Sequence, residues 1–347
     1  MRSFVSKRVP ELNERTHEFA TAEAIDRRFT ERGTVRAVMH DDHFVAVREL
    51  THRYAGADRP ALDGIELAVR RGSTFGLLGP NGAGKSTLLS ILTGITPLQT
   101  GSVTIGGRSL TSQSQEIKAR SALVPQEYAF YLRLTGRENL RFFAGAYGLS
   151  AEHIAQRIPE CIDICQLGEV IDKQAKHYSG GVKRRLNLAI GLIAAPEILY
   201  LDEPTVGIDA ISRECILQAI AALKARGTTI IYTSHYMEEI ERLCDEVAVI
   251  DHGRILIRER VDRLLRSDAN RTLQLTFSNP LDERVREVLT QRNAIFADAT
   301  HVQIVVDNVD VPAILQQLSN LGAVPMQMTY GVSRLHDVYL TLLKEGE

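Results

Sequence analysis

Gly79-Pro80-Asn81-Gly82-Ala83-Gly84-Lys85-Ser86-Thr87 decides the fold. A strand-like apolar run, Thr74-Phe75-Gly76-Leu77-Leu78, leads into it, and a helix-like run, Leu88-Leu89-Ser90-Ile91-Leu92, leads out. Glycines at this spacing let the backbone fold around a phosphate with its amides pointing inward. The start of the helix adds the positive end of a dipole. Lys85 can then reach the β- and γ-phosphates of a nucleotide, and the Ser86 hydroxyl can sit on Mg2+. The plainer reading is a Gly-rich turn between strand and helix. A full match in that context argues against it.

Downstream, Ile198-Leu199-Tyr200-Leu201 is continuously apolar, as a strand buried on both faces should be. Asp202 and Glu203 stand at its carboxyl end and Pro204 stops it. Thr228 to Thr233 repeats the arrangement with a β-branched run, then Ser234 and His235. Open α/β sheets bind ligands at the carboxyl ends of their strands. Adjacent carboxylates on a strand point to opposite faces, so Asp202 and Glu203 fit two roles better than one. A solvated acidic strand end is the plain alternative.

Upstream, His43 to Leu50 alternates like a strand that continues through Thr51 to Tyr54, and Leu62 to Val69 gives another. Gly101 to Gly107 is a strand ending in a Gly turn. From Gln126 to Ala175 the pattern is helical, with Thr135 as N-cap before Arg137 to Tyr147. This stretch reads as an insertion in the α/β frame. It closes at Tyr178-Ser179-Gly180-Gly181, where a helix starts and runs to about Ala194. The Lys183-Arg184-Arg185 cations near its start oppose the helix dipole, a conflict that a nearby anion would relieve and a solvated basic face would tolerate. Val247 to Ile250 and Ile255 to Ile257, joined at Asp251-His252-Gly253, make a hairpin. Past Arg260, Leu273 to Phe277 and Val302 to Val306 read as strands, and Val311 to Leu321 and Leu335 to Lys344 as helices.

The 347 residues suggest two domains with an ordinary globular composition. A net charge of -2 argues against binding driven by bulk positive charge, so no nucleic-acid partner is expected. Cys161, Cys165, Cys215 and Cys244 lack metal-ligand spacing and read as packed, reduced thiols. The longest apolar stretch, Leu186 to Leu201, is interrupted by Asn187, Pro196 and Glu197 and is too short to span a membrane. The N-terminus has no apolar h-region, so no signal peptide is expected. Residues 1–42 mix Arg and Glu with little periodicity and read as a poorly packed extension, with Met39 an alternative start.

Over about residues 43 to 258 these motifs, in this order, resemble the nucleotide-binding subunits of ABC transporters. That resemblance implies a P-loop NTPase of ABC ATPase type, α/β, with antiparallel β and α-helical subdomains and a small C-terminal α+β domain. The domains would run 1–42 (extension), 43–258 (ATP-binding) and 259–347 (C-terminal). ATP and Mg2+ are the implied cofactors. Gly79, Pro80, Asn81, Gly82, Ala83, Gly84, Lys85, Ser86 and Thr87 would hold the nucleotide phosphates, and Tyr54 would stack on adenine. Ser86, Gln126 and Asp202 would hold Mg2+, Glu203 would polarise the attacking water and His235 would contact the γ-phosphate. Ser179-Gly180-Gly181 matches the family signature and Asp209 its D-loop, both facing a nucleotide across a homodimer. Tyr178 and Val182 depart from the usual Leu and Gln of that signature.

Leu134 to Leu140, Lys183 to Leu186 and the His336-Asp337-Val338-Tyr339-Leu340 tail look like the bacterial drug, lipid and polysaccharide exporter branch. The implied function is an ATPase peripheral to the cytoplasmic face of the membrane, driving a separately encoded permease. The rival is a soluble ABC ATPase with a non-transport partner. It is disfavoured because the chain has one cassette and no coiled-coil insertion or zinc module. A catalytically dead regulator is disfavoured by the intact Lys85, Asp202, Glu203 and His235.

Overall fold

The computed structural model describes residues 43–266, 271–292, 294–296, 298–305, 310–332, 335 and 339. The extension over 1–42 lies outside them, as does most of the helix expected over Leu335 to Lys344.

The run before the Gly-rich loop is β3 (Thr74–Leu78), and every residue of it is buried. It pairs in parallel with β8 (Thr229–Ser234) on one side and β9 (Glu246–Asp251) on the other. With β6 (Ser121–Val124), β7 (Ile198–Asp202) and β10 (Arg254–Arg260) the sheet runs β10-β9-β3-β8-β7-β6. Only β10 is antiparallel to its neighbour, as the expected hairpin requires. Both faces of this sheet are covered, and its strands split their side chains between two cores. Leu78, Leu199, Leu201, Ile230 and Tyr232 face one core. Phe75, Leu77, Ile198, Tyr200 and Ile231 face the other. Double burial explains why β7 and β8 are apolar without alternation.

The second core lies under an antiparallel sheet and one helix. Its strands are β1 (His43–His52), β2 (Leu62–Arg70), β4 (Thr100–Ile105) and β5 (Arg108–Ser109), in the order β2-β1-β4-β5. Val45, Val47, Ile65 and Leu67 pack there against Leu88 and Ile91 of α1 (Lys85–Leu92), which follows the loop. A short helix, α2 (Ser114–Lys118), precedes β6.

The first core is helical. It gathers α3 (Gly136–Ala146), α4 (Ala151–Ile164), α5 (Gly180–Leu192), α6 (Ala210–Ala225) and α7 (Met237–Leu243). Thr135 caps α3 as expected. Its side chain accepts from the Glu138 amide, and the Glu138 carboxylate accepts from the Thr135 amide, a reciprocal capping box. The stretch from Gln126 to Leu134 is not helical, contrary to the helical pattern read from sequence. Buried Asn139 holds part of it, accepting from the Tyr131 amide at 2.9 Å and donating to the Tyr131 and Thr135 carbonyls at 3.0 and 2.9 Å. A side chain thereby satisfies backbone groups that a helix would have paired internally.

Past β10, α8 (Val261–Arg266) still packs on the first core through Val261 and Leu264. A third core then begins. Its antiparallel sheet of β11 (Arg271–Thr276), β12 (Ile295–Phe296), β13 (His301–Val305) and β14 (Gln327–Val332) has the order β12-β13-β11-β14. Leu273, Leu275, Val302 and Ile304 pack against Val285 and Leu289 of α9 (Glu283–Thr290) and Ile314 and Leu318 of α10 (Asp310–Asn320). The sequence reading had β11, β13 and α10 but not β12, α9 or β14. Leu335 and Tyr339 return to the first core, where the Leu335 amide donates to Glu241 at 2.6 Å.

Candidate functional site

Strand register brings the expected residues to one rim. Leu78 pairs with Ser234, and Asp202 with Thr233. The segments after β3, β7 and β8 therefore leave the sheet side by side, carrying the Gly-rich loop, Glu203 and His235.

The loop is built by its glycines. Gly84 has φ 109°, and a Cβ there would lie 2.6 Å from the Ala61 carbonyl. A Cβ on Gly79 would lie 2.2 Å from the Ile250 carbonyl, so backbone and loop touch where no side chain fits. Lys85 opens α1 and is only 5% exposed. Its Nζ donates to the Gly79 and Pro80 carbonyls at 2.8 and 3.0 Å, so the cation sits inside the loop. Ser86, one residue further on, is exposed.

Glu203 faces that cation. Its Oε1 is 3.4 Å from Lys85 Nζ, and its Oε2 is 3.4 Å from His235 Nδ1. The carboxylate is buried and the imidazole half-exposed. Glu203 also holds φ at 46°, in the left-handed region that a side chain with a Cβ avoids. Thr233 secures this strand end. Its hydroxyl donates to Asp202 Oδ1 at 2.8 Å and accepts from the Glu203 amide at 2.9 Å. Sequence reading passed over Thr233, whose role depends on a neighbouring strand. The two carboxylates do differ in surroundings, as their adjacency suggested: Asp202 accepts from a hydroxyl, and Glu203 lies between the Lys85 ammonium and the His235 ring.

Tyr54 lies beside the same loop, its hydroxyl 3.2 Å from Thr87 Oγ1 and its ring exposed. The edge of the buried His52 ring supports it, with centroids 4.8 Å apart.

Gln126 is exposed on the segment after β6. Side chains of α5 hold this segment. Arg184 donates to the Gln126 carbonyl, and its guanidinium lies 5.1 Å from the Tyr128 ring centre. Asn187 donates to the Pro125 and Glu127 carbonyls at 3.0 and 3.3 Å and accepts from the Ala129 amide at 3.2 Å. Burial pulls the Arg184 guanidinium below its ordinary range, with the Tyr128, Glu203 and Asp202 charges acting against that. Arg185 donates to the Cys165 and Gln166 carbonyls at the end of α4. These arginines answer the conflict with the helix dipole: carbonyl groups of neighbouring segments receive them.

Ser179 caps α5, its hydroxyl accepting from the Val182 amide at 3.3 Å. Gly181 is indispensable sterically, because a Cβ there would lie 1.9 Å from Ser212 Oγ. Asp209 caps α6 through the Ser212 amide at 2.8 Å, and that bond holds its carboxyl below the usual range. Tyr178, one of the two departures from the usual signature, is buried and donates to the Val170 carbonyl at 2.6 Å. Val182, the other, packs on the first core. Both changes therefore serve the helical region. The cysteines are free thiols among the described residues, with Cys161, Cys165 and Cys244 buried. Burial pushes the Cys161 thiol up to about 12, so it stays protonated.

For Mg2+ the chain offers oxygen donors: the Ser86 hydroxyl, the Gln126 amide and the Asp202 carboxylate. Such donors suit a hard cation that uses one or two carboxylates and completes its shell with water and substrate phosphates.

Comparison with known proteins bears on the family and the fold. Residues 62–206 match the family model described as ABC transporter. The linearmycin resistance ATP-binding protein LnrL of Bacillus subtilis is 43% identical over 216 residues, 62% of this chain and 70% of that protein. A daunorubicin resistance ATP-binding protein, DrrA2 of Streptomyces coeruleorubidus, is 39% identical across 65% of this chain and 69% of its own. The Nod factor export ATP-binding protein I of Rhizobium meliloti is 35% identical over 282 residues, 78% of this chain and 84% of that one. Among solved structures, an ATP-binding subunit of an ABC transporter superposes with a TM-score of 0.58 at 28% identity, covering 64% of this chain and 92% of that one. A dimeric ATP-binding cassette bound to ADP and Pi has the same fold, with a TM-score of 0.58 at 23% identity over 62% and 98% of the two chains.

Proposed function

The chain belongs to the ABC transporter family as an ATP-binding subunit that hydrolyses ATP, and from that premise we propose that two copies of it power export through a separate membrane permease. The relatives named for drug resistance and Nod factor export support the direction of transport. One feature of the surface supports the permease. Tyr131, Leu132 and Phe142 are exposed, and the Tyr131 and Phe142 rings meet edge-on at 4.8 Å. Exposed apolar patches of this kind mark protein contacts. Among the described residues no helix is long and apolar enough to cross a membrane, so the span comes from that partner. The chain then works at the cytoplasmic face, as a peripheral subunit.

Within the site we assign roles by residue. The residues from Gly79 to Thr87 enclose the phosphates, with Lys85 the point charge on the β- and γ-phosphates. Tyr54 takes the adenine. Ser86, Asp202 and Gln126 hold Mg2+, which when bound neutralises charge on the phosphates. Glu203 draws the proton from the attacking water, and His235 contacts the γ-phosphate. Ser179, Gly180, Gly181 and Asp209 complete the partner subunit's site. Phosphoryl transfer asks little covalent chemistry of the protein, so positioning and charge dominate. The proposed division at 1–42, 43–258 and 259–347 separates an extension, the ATPase and a C-terminal module.

The observation that carries this reading is the buried Glu203 carboxylate between Lys85 and His235. Glu203→Gln keeps shape and leaves Lys85 its two carbonyl acceptors, so the variant should fold. Hydrolysis should fall by about 10²–10⁴-fold, the usual worth of a general base, while ATP still binds. Phosphate release measured with and without the permease tests it. Wild-type turnover would mean that another group takes the proton.

A further inference from the structure

Glu239 is a carboxylate that none of the roles above uses. It lies on α7, four residues after His235, and is 3% exposed. Three hydroxyls converge on its Oε2: Tyr232 at 2.7 Å, and Thr205 and Ser234 each at 2.9 Å. The donors come from two segments. Thr205 stands two residues after Glu203, whereas Tyr232 and Ser234 belong to β8 and lead into His235. Ser234 also accepts from the Tyr236 amide at 2.9 Å, so the same hydroxyl spans the His235 turn. Oε1 lies 3.6 Å from Arg213 Nε without forming a hydrogen bond among the described residues. Arg213 in turn sits 4.6 Å from the Tyr236 ring centre, and that ring is 4.2 Å from the His235 ring.

Burying a carboxylate costs stability unless its oxygens find partners, and here three hydroxyls serve Oε2. What the carboxylate adds is a junction: one oxygen fixes the segment behind Glu203 to the turn that presents His235. We propose that Glu239 is a positioning residue that holds His235 for its γ-phosphate contact by tying β8 to the segment after Glu203. This rests on the assignment of His235 to the γ-phosphate.

The test is selectivity between a nucleotide with a γ-phosphate and one without. Affinities of the full chain for the β,γ-imido analogue of ATP and for ADP, with Mg2+, are measured by calorimetry in Glu239→Leu, His235→Ala and the double variant. Glu239→Leu should weaken the analogue about tenfold, a coupling within the usual range for groups sharing one network, and leave ADP within about twofold. His235→Ala should do the same, and the double variant should lose no more than His235→Ala alone. Glu239→Gln keeps an acceptor for the three hydroxyls and should restore selectivity. Equal losses for both nucleotides, additive losses in the double variant, or failure of Gln to rescue would overturn the proposal. If Glu239→Leu does not fold, Ser234→Ala removes the tie at the His235 turn and should show the same pattern on a smaller scale; unchanged selectivity there overturns it. If His235→Ala itself keeps full selectivity, the γ-phosphate assignment has failed, whereas a loss in His235→Ala beside an intact Glu239→Leu defeats the positioning role alone.

Discussion

The six-stranded sheet and the C-terminal four-stranded sheet solve the problem of burying strands in opposite ways. The first is mostly parallel and its inner strands are covered on both faces, with the edge strand β10 partly exposed at Arg254 and Leu256. Lys85, Glu203 and His235 all follow the ends of its inner strands. The second is antiparallel, with α9 and α10 packed on one face. Its edge strand β14 leaves Met328 and Tyr330 exposed. At its strand ends the one polar knot of note among the described residues is local, with Asp298 accepting from the Thr300 and His301 amides at 2.7 and 2.9 Å. Parallel pairing concentrates loops from distant parts of the chain at one rim, and antiparallel pairing disperses them.

The contrast can be broken first at the rim. Lys85→Ala removes the cation seated among the loop carbonyls and should abolish ATP binding measured by calorimetry. Retained wild-type affinity would mean that the rim is not the nucleotide site. A smaller effect is expected from the other sheet. Leu273→Ala empties part of the third core, which should cost about 2–5 kcal/mol there. Calorimetric unfolding should show a transition moved to lower temperature while ATPase activity stays within about twofold. A matching loss of activity would show that the two regions are energetically one.

The smallest effect belongs to surface charge. Glu214 is paired with Arg242, whose guanidinium brings its carboxyl down to about 2. Because the folded value is depressed, the pair stabilises above the unfolded carboxyl's ordinary value and loses that contribution as pH falls toward 2. Glu214→Gln should therefore lower the melting temperature slightly at pH 7, and the gap to wild type should close in acid. A gap independent of pH would assign the effect to packing.

The rim was largely legible in sequence because its residues sit in local patterns. A Gly-rich loop between strand and helix, two carboxylates after an apolar run and a histidine after another each announce themselves within ten residues. The capping box at Thr135 and Glu138 is local in the same way. Thr233, Arg184, Asn187 and Glu239 were not legible, since each acts on a segment distant in the chain. For Arg184 the local rule raised the right conflict, and the tertiary fold supplied carbonyls in place of the anion. The helix α9 and strand β14 had usable signals, with Asp282 capping Val285 and Leu289 at helical spacing, and Met326, Met328 and Tyr330 alternating.

The left-handed backbone at Glu203 has an evolutionary corollary. Only glycine rests there without penalty, so this position would drift toward glycine if folding were the sole pressure. Glycine here would relieve the backbone and at the same time remove the carboxylate that the proposed mechanism uses, so stability and the proposed function pull this position in opposite directions.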